Sequence, residues 1–492
     1  MAYAAHNLND TIVALATPPG VGAIGVIRLS GEDAIDIVDQ VFHGKGLKEQ
    51  PTHTIHFGAI RDDSGRILDE VLVSLFVAPK SYTGENVVEV SCHGSNYIIQ
   101  EVIQLFIEKG ARTAQPGEFT LRAFLNGRMD LSQAEAVADL IASSSKASHS
   151  VAMQQMRGGF SDEIKKLRQQ LLDFASLIEL ELDFAEEDVE FANRKELKKL
   201  VEKIQSVLRA LIQSFKLGNV LKHGVNTVIA GRPNAGKSTL LNALLNEERA
   251  IVSEIEGTTR DTIEEVLNIK GVQFRIIDTA GIREAEDAIE AIGVEKTMQK
   301  VQQSALLVYV FDVARTQPAE LQADLAKLIH DNVQVLVVAN KMDLNPYTKF
   351  EHYFGEEETG RLGEREAERA GDTPTHPLTP SPRHPVTKEA WVPISAIHSM
   401  NIEYLKEKLY EAVLSSDMVL ESTVVANARH YEALQKANDS LDRVMQGLSE
   451  EVTSDFVAMD IRQALHFLGE ITGEISTEDL LGNIFSRFCI GK

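Results

Sequence analysis

The sequence predicts a multidomain α+β protein: an α+β N-terminal domain, a helical domain, and an α/β domain inserted into the helical one. Three observations carry this. The chain has 492 residues, too many for one hydrophobic core, so about three domains are expected. Its apolar periodicity passes from short strand-like runs to a helical repeat, then to alternating strands and helices, and back to a helical repeat. The alternating segment opens with GRPNAGKS between an apolar run and a helical pattern, a spacing that itself requires strand, loop and helix. The expected boundaries are 1–125 for the N-terminal domain, 126–222 and 416–492 for the two parts of the helical domain, and 223–415 for the inserted domain.

Composition narrows the possibilities. Hydrophobic residues make up 43% of the chain, and Cys92 and Cys489 are its only cysteines, so packed cores are expected and a disulfide framework is not. The stretch MAYAAHNLNDTIVALATPPG has neither a basic segment nor a long apolar one, and no run approaches the roughly 18 apolar residues of a membrane span. A soluble, cytoplasmic protein without a membrane partner is the expectation. The net charge of −24 argues against sequence-independent nucleic-acid binding, which works by neutralising phosphates with Lys and Arg. An RNA substrate would need a local patch or a partner to hold it.

In chain order, residues 1–125 carry the strand-like runs TIVALAT, GVIRLSG, EVLVSLFV and NVVEVSC, then a helical run from Ser95 to Lys109. Gly20, Gly22 and Gly25 satisfy G-x-G-x-x-G, but a dinucleotide fingerprint must open a helix, and these run into the strand-like VIRLSG. From Leu131 the pattern is helical, with Ser132 and Glu135 at capping-box spacing. Ile164, Leu167, Leu171, Phe174 and Ile178 recur at three and four residues, as one face of a long helix does. The acidic run DFAEEDVEF around Glu186 reads as a solvated helix end or turn in preference to a metal site.

Between Gly224 and Leu414 the runs VNTVIAG, VQFRIIDTAG, ALLVYVFDV and VQVLVVANKMD alternate with helical segments. Residues Asn345 to Pro393, with five prolines between Pro374 and Pro385, read as a mobile insertion without chemistry, since proline denies both helix and ladder hydrogen bonds. After Val424 the chain is helical again. Its last helix is expected to be capped by Ser476 or Thr477, with Glu478 and Asp479 in the first turn and Leu480, Leu481, Ile484, Phe485 and Phe488 on one face.

In GRPNAGKS, the backbone of Asn234, Ala235 and Gly236 and the N-terminus of the following helix can surround phosphates. Lys237 supplies positive charge, Ser238 can ligate Mg²⁺, and Thr239 continues the turn. GTTRD from Gly257, DTAG (Asp278, Thr279, Ala280, Gly281) and NKMD (Asn340, Lys341, Asp343) follow in the order of a Ras-like P-loop α/β GTPase domain. Asp343 after a buried strand can accept from both donors on the guanine edge; adenine offers no such pair, which makes ATP the weaker alternative to GTP. Ser395 and Ala396 in ISAIH resemble the loop that completes guanine recognition, and by resemblance to the superfamily Thr259 completes the Mg²⁺ shell with Asp278 behind a water. Where Ras-like GTPases place a water-orienting glutamine after D-x-x-G, this chain has Ile282.

Along its whole length the chain resembles the tRNA modification GTPase family MnmE, also called TrmE. The residues that carry the resemblance are DTIVALATPPGVGAIGVIRLSG, PGEFTLRAFLNGRMDLSQAEAVADLI, the GTPase motifs and the terminal FSRFCIGK. The family implies K⁺-stimulated GTP hydrolysis coupled, through a flavoprotein partner MnmG carrying FAD, to modification of the wobble uridine of certain tRNAs. The product carries an aminomethyl or carboxymethylaminomethyl group at C5. The resemblance makes Glu290 the water-orienting carboxylate. It makes Asn234 a K⁺ ligand, with main-chain carbonyls around Ser253 and Ile255 and the neighbouring Thr258 completing the cage. It makes the N-terminal domain a folate-binding-like module and the site of homodimerisation, with Arg28, Glu89, Arg128 and Lys492 at a 5-formyl- or methylene-tetrahydrofolate. Relatives often carry lysine at the place of Arg128. Cys489 of CIGK is then a nucleophile or proton-transfer group, its reactivity favoured if Arg487 or Lys492 lowers its pKa. On the residues alone, Glu290 is equally a solvated helix carboxylate, and Cys489 equally a chance cysteine in a disordered end; a prenylation box fits CIGK poorly. The competing function is a ribosome-assembly or RNA-binding switch GTPase without modification chemistry, and behind it a dimerising scaffold without turnover.

Overall fold

The computed structural model of the chain describes residues 9–183, 194–248, 265–277, 304–330, 333–355, 386–413, 424–450, 452–486 and 488–491. The chain divides into two compact units, one of residues 1–142, 150–215 and 423–492, the other of residues 143–149 and 216–422.

The first unit begins with a seven-stranded sheet: β1 (Ile12–Leu15), β2 (Ile24–Ser30), β3 (Phe42–His43), β4 (Thr54–Arg61), β5 (Ile67–Phe76), β6 (Val87–His93) and β7 (Arg112–Thr113), in the order β3-β4-β5-β6-β2-β1-β7. Helices α1 (Ala34–Val41) and α2 (Asn96–Glu108) supply the apolar side chains that pack with Val71, Val73, Val88 and Val90 of the sheet. Period-two alternation is clean on β5, where Val71, Val73 and Leu75 are buried between exposed or half-buried neighbours. β2 runs antiparallel to both β1 and β6 with Gly25 inside the strand, so the G-x-G-x-x-G spacing opens no helix, as expected. The sequence reading passed over α1 and β4. In β4 the large apolar residues Ile55 and Phe57 lie on the exposed side while Gly58 is buried, which inverts the usual pattern.

The same unit contains a bundle formed by α6 (Gly159–Asp183), the first part of α7 (Arg194–His223), α12 (Ala428–Ser449) and α13 (Ser454–Thr472), preceded in sequence by α3 (Glu118–Leu125), α4 (Leu131–Ala142) and α5 (Lys146–Met156), of which α5 begins in the other unit. Ile164, Leu167, Leu171 and Ile178 are fully buried against Leu197, Val201, Ile204 and Leu441, and Phe174 packs at the margin of this core. The expected capping box is displaced. Ser132 and Glu135 are both buried inside α4, and the reciprocal pair is Asp130 with Gln133: Gln133 N–H donates to Asp130 Oδ1 at 2.9 Å and Asp130 N–H to Gln133 Oε1 at 2.9 Å. A carboxylate one residue before the helix reaches the free N–H groups that a residue already inside it cannot. The last helix, α14 (Glu478–Phe485), is capped by Thr477, whose hydroxyl accepts from Leu480 N–H.

Glu135 has a different task. Arg429 of α12 donates to both its carboxylate oxygens (2.9 and 2.8 Å), and His430 Nε2 lies 2.8 Å from Oε2. Burial would raise this carboxyl, but His430 and Arg429 override it and hold its pKa at about 2 against an ordinary 4.5. A group depressed in the folded state contributes stability that is fully present above about pH 4.5 and is lost as pH falls through about 2, on the order of 3 kcal/mol here. The expected result is that the stability difference between wild type and Glu135→Gln, measured by urea unfolding, shrinks steadily as pH drops through that window. A difference independent of pH would assign the wild-type advantage to packing.

The second unit is a six-stranded sheet of β8 (Val225–Ala230), β9 (Glu265–Ile269), β10 (Val272–Ile276), β11 (Leu306–Asp312), β12 (Gln334–Asn340) and β13 (Trp391–Pro393), in the order β13-β12-β11-β8-β10-β9. All pairings are parallel except β9 with β10, whose two-residue turn uses Lys270 (φ 50) and Gly271 (φ 85), the positive pair a tight hairpin requires. β11 is buried at every position, as a central strand covered on both faces must be. The insertion read between Asn345 and Pro393 is shorter than expected. Its described ends belong to the fold: Phe350, Tyr353 and Trp391 pack around Phe311, with ring centroids 4.9 Å (Tyr353) and 5.4 Å (Trp391) from it, and Trp391–Pro393 forms an edge strand. Aromatic packing holds these ends in the fold; 356–385, including all five prolines, lie outside the described residues.

Candidate functional site

Parallel strands β8, β11 and β12 neighbour one another; GRPNAGKS follows β8, Asp312 is the last residue of β11, and NKMD begins at Asn340, the last residue of β12. The glycine-rich turn is tight because backbone from two directions presses on it. Gly231 has φ 148, and a β-carbon there would run into the Val310 carbonyl oxygen; Gly236 has φ 94, and one there would strike Asn340 Nδ2. Asn234 takes a left-handed φ of 60. Helix α8 (Lys237–Glu248) starts directly from the turn, so Ser238 and Thr239 stand in its first turn and its free N–H groups face the loop. Lys237 Nζ donates to the carbonyls of Gly231 (2.8 Å) and Arg232 (3.0 Å), and burial lowers its pKa.

Asn340 ties this turn to the loop of Ser395 and Ala396. Its Nδ2 donates to the Ala235 carbonyl at 2.8 Å, and its Oδ1 accepts from Ala396 N–H at 3.0 Å. Lys341, at φ 66, sends Nζ to Asp312 Oδ2 at 2.7 Å. Ser395 Oγ donates to Asp343 Oδ1 at 2.6 Å and keeps that carboxyl below the usual range. An ionised carboxylate oriented through one oxygen, with the exposed His398 imidazole 4.0 Å from the other, is suited to two adjacent donors of a purine edge. Asn234, Ala235, Gly236, Lys237, Ser238, Thr239, Asn340, Lys341, Asp343, Ser395 and Ala396 therefore lie in one set of neighbouring loops. Asp278, Thr279, Ala280, Gly281, Glu290, Ser253, Ile255, Thr258 and Thr259 lie outside the described residues, as do Ile282 and the acidic run near Glu186.

Two features of this site were passed over in the sequence. Asp312 orients Lys341, and its signal was a carboxylate ending an otherwise wholly apolar strand. Arg232, inside GRPNAGKS, donates to Asp324 (2.7 Å) and Glu320 (2.6 Å) on helix α9 (Pro318–Leu328), while Tyr309 donates to the same Asp324 at 2.6 Å. That network fixes the mouth of the turn.

A second cluster lies on the N-terminal sheet of the first unit. Arg28 on β2 and Glu89 on β6 are cross-strand partners, joined at 2.8 Å. The Arg28 guanidinium lies 5.7 Å from the Tyr82 ring centroid and 5.6 Å from that of Phe119. The stem of Arg128 rests beside Gly84, so Arg28 and Arg128 flank one loop, Ser81–Glu85, and Arg128 is exposed. The C-terminal tail reaches this cluster: Ile490 pairs with Pro116 in an antiparallel bridge, Gly117 N–H donates to the Cys489 carbonyl (3.4 Å), and Arg28 Nη1 to the Gly491 carbonyl (3.3 Å). The Cys489 side chain is exposed; Arg487 and Lys492 lie outside the described residues. Buried Arg122 of α3 binds Glu118 (3.1 Å) and Glu85 (3.1 Å), which ties α3 to the Ser81–Glu85 loop. No helix among the described residues is long and apolar enough to cross a membrane, and none of their His, Cys, Asp and Glu side chains gather in threes as metal ligands.

Comparison with known proteins sets this geometry among relatives. A family model described as the MnmE helical domain matches residues 131–489, and one described as the GTP-binding protein TrmE N-terminus matches residues 11–128. Proteins called tRNA modification GTPase MnmE are similar over nearly the whole chain. That of Cytophaga hutchinsonii is 55% identical over 99% of this chain and 98% of its own. That of Christiangramia forsetii is 54% identical over 99% and 100%, and that of Flavobacterium psychrophilum 51% over 98% and 99%.

Proposed function

This chain belongs to the MnmE family of tRNA modification GTPases, and on that premise we propose that it is a K⁺-stimulated GTPase that modifies the wobble uridine of certain tRNAs at C5. It acts as a homodimer with the flavoprotein MnmG, which carries FAD, and draws a one-carbon unit from a tetrahydrofolate derivative. Three domains divide the work: a folate-binding and dimerising domain (1–125), a helical domain (126–222 and 416–492) and an inserted GTPase domain (223–415). The observation that carries the reading is Asn340, hydrogen-bonded on one side to the phosphate turn and on the other to the loop that holds Asp343. Nucleotide phosphate and guanine are thereby registered on one frame.

In this reading the loop N–H groups of Asn234, Ala235 and Gly236 surround the phosphates, and Lys237 compensates their charge. Asp343 accepts from the guanine edge, and Ser395 and Ala396 complete that pocket. Ser238 and Thr259 hold Mg²⁺, with Asp278 in its outer shell. Asn234 binds K⁺, with Ser253, Ile255 and Thr258 around it, and the cations supply the positive charge that an arginine finger gives elsewhere. The tight Gly231 and Gly236 cradle, which a β-carbon would fill, fits a polyphosphate, and the first-turn hydroxyl of Ser238 fits the Mg²⁺ role. Arg28, Glu89, Arg128 and Lys492 bind the folate, and the nearby tail supports that assignment. The exposed apolar residues Ile55, Phe57 and Leu72 on neighbouring strands β4 and β5 support a self-association surface. With two free cysteines, a reducing cytoplasmic setting suits the chain.

GTP hydrolysis measured at equal ionic strength in K⁺ and in Na⁺ tests the cation. The expected ratio is at least about tenfold in favour of K⁺, part of the 10³ to 10⁵ that such a charge contributes. Equal rates would remove K⁺ from the mechanism.

A further inference from the structure

The last residues of the chain are seated more tightly than an exposed end requires. Gly491 is buried at φ 95, and a β-carbon there would be driven into the Leu15 carbonyl oxygen at the end of β1. Its neighbour Ile490 pairs with Pro116, and Gly117 N–H donates to the Cys489 carbonyl. Behind them, Phe485 and Phe488 pack against Leu121, Leu131 and Ala134, which fixes where the tail begins. One charged side chain closes the arrangement. Arg28 gives Nε and Nη2 to Glu89 Oε1 (2.8 Å each), leaving Nη1 to the Gly491 carbonyl at 3.3 Å, while Tyr82 and Phe119 flank the guanidinium. The planar fork is what permits this: three nitrogens in one plane serve a carboxylate on one edge and a carbonyl on another.

We propose that Arg28 is a positioning residue for the C-terminal tail, latching the Gly491 carbonyl so that Cys489 is held at a fixed place over the N-terminal sheet. The proposal deepens the folate reading above and rests on it for the chemistry that the tail serves. Arg28 and Glu89 are shared between tail and ligand, so occupancy of one bears on the other, and any such coupling is reciprocal. Lysine in place of Arg28 keeps the charge but cannot bridge Glu89 and Gly491 at once. Gly491→Ala ejects the tail by steric clash while leaving Arg28 and Glu89 untouched.

The test uses the full-length protein with its flavoprotein partner. Hydrogen exchange is followed in peptides covering 115–117 and 488–491, with α14 as the internal reference. Both Arg28→Lys and Gly491→Ala are expected to speed exchange in those peptides by about tenfold or more while α14 is unchanged, as opening of a single local contact does. Gly491→Ala is further expected to lower tRNA modification by about tenfold and to change the affinity for 5-formyl-tetrahydrofolate, whose site shares Arg28 and Glu89 with the tail, with GTP hydrolysis within about twofold of wild type, since no group of the nucleotide loops is altered. Unchanged exchange in Arg28→Lys overturns the latch. So does normal modification by Gly491→Ala once its tail is released. Wild type that fails to bind 5-formyl-tetrahydrofolate sinks the folate reading alone, because the exchange result decides the latch with no folate present.

Discussion

Replacing Glu290 by alanine is expected to leave GTP binding within about twofold of wild type and to lower GTP turnover by about 10² or more, the usual range for a group that positions or deprotonates the attacking water. The division follows from which residues hold the nucleotide. In the function proposed above, phosphate and base are held by the turn at Gly231–Ser238, by Asn340 and by the hydrogen-bonded Asp343–Ser395 pair, none of which needs Glu290. The position next to Gly281, where a water-orienting glutamine stands in Ras-like enzymes, is occupied by Ile282, whose side chain neither donates to nor accepts from water. A carboxylate from the segment that follows can take over the water without touching the nucleotide. Nucleotide affinity and single-turnover hydrolysis, measured on the same Glu290→Ala sample in K⁺, separate the two steps. Wild-type turnover in that variant would transfer the role to Glu284 or Glu286 and weaken the residue assignments drawn from the family resemblance.

How much of this was legible in the sequence depended on whether the deciding interaction was local. The phosphate turn was readable because GRPNAGKS specifies its own strand, loop and helix, and the structure supplies the reasons for Gly231 and Gly236 from the backbones they meet. Asp343 and Ser395 were both singled out in the sequence, but the hydrogen bond that joins them spans 52 residues, and no spacing rule connects them. The Arg232 network with Glu320, Asp324 and Tyr309 was invisible for the same reason, as was the bond between Glu135 and Arg429, 294 residues apart. Where local rules misled, a stronger local partner was present: Asp130 claimed the cap that Ser132 was expected to make. Strand β4 was missed because its alternation is reversed, with Phe57 outward and Gly58 inward. Trp391 was read as part of a mobile insertion because its aromatic neighbours, Phe311 and Phe350, are distant in the chain.

Cys489→Ser is expected to separate the two activities, leaving K⁺-dependent GTP hydrolysis near the wild-type rate while wobble-uridine modification falls by about 10² or more, as loss of a nucleophile or proton-transfer group does. The nucleotide loops and Cys489 lie in different compact units of the chain, and no group in the phosphate turn or the guanine pocket depends on the thiol. The thiol itself is the only exposed cysteine of the two; Cys92 is buried within the N-terminal sheet, and burial pushes its thiol up to about 11, which keeps it protonated and unreactive at neutral pH. Serine preserves the size and hydrogen-bonding shape of the side chain but has a hydroxyl that hardly ionises, so the Gly117 bond to the residue 489 carbonyl and the Arg28 bond to Gly491 should survive the change. A seated tail that no longer functions would therefore be a chemical loss, and hydrogen exchange across 488–491 in the same variant verifies the seating. Mass spectrometry of tRNA from cells carrying only the Cys489→Ser protein reads the modification directly. Full modification there would reduce Cys489 to a structural residue, and the tail would then serve through its backbone contacts with Arg28 and Gly117 and not through sulfur.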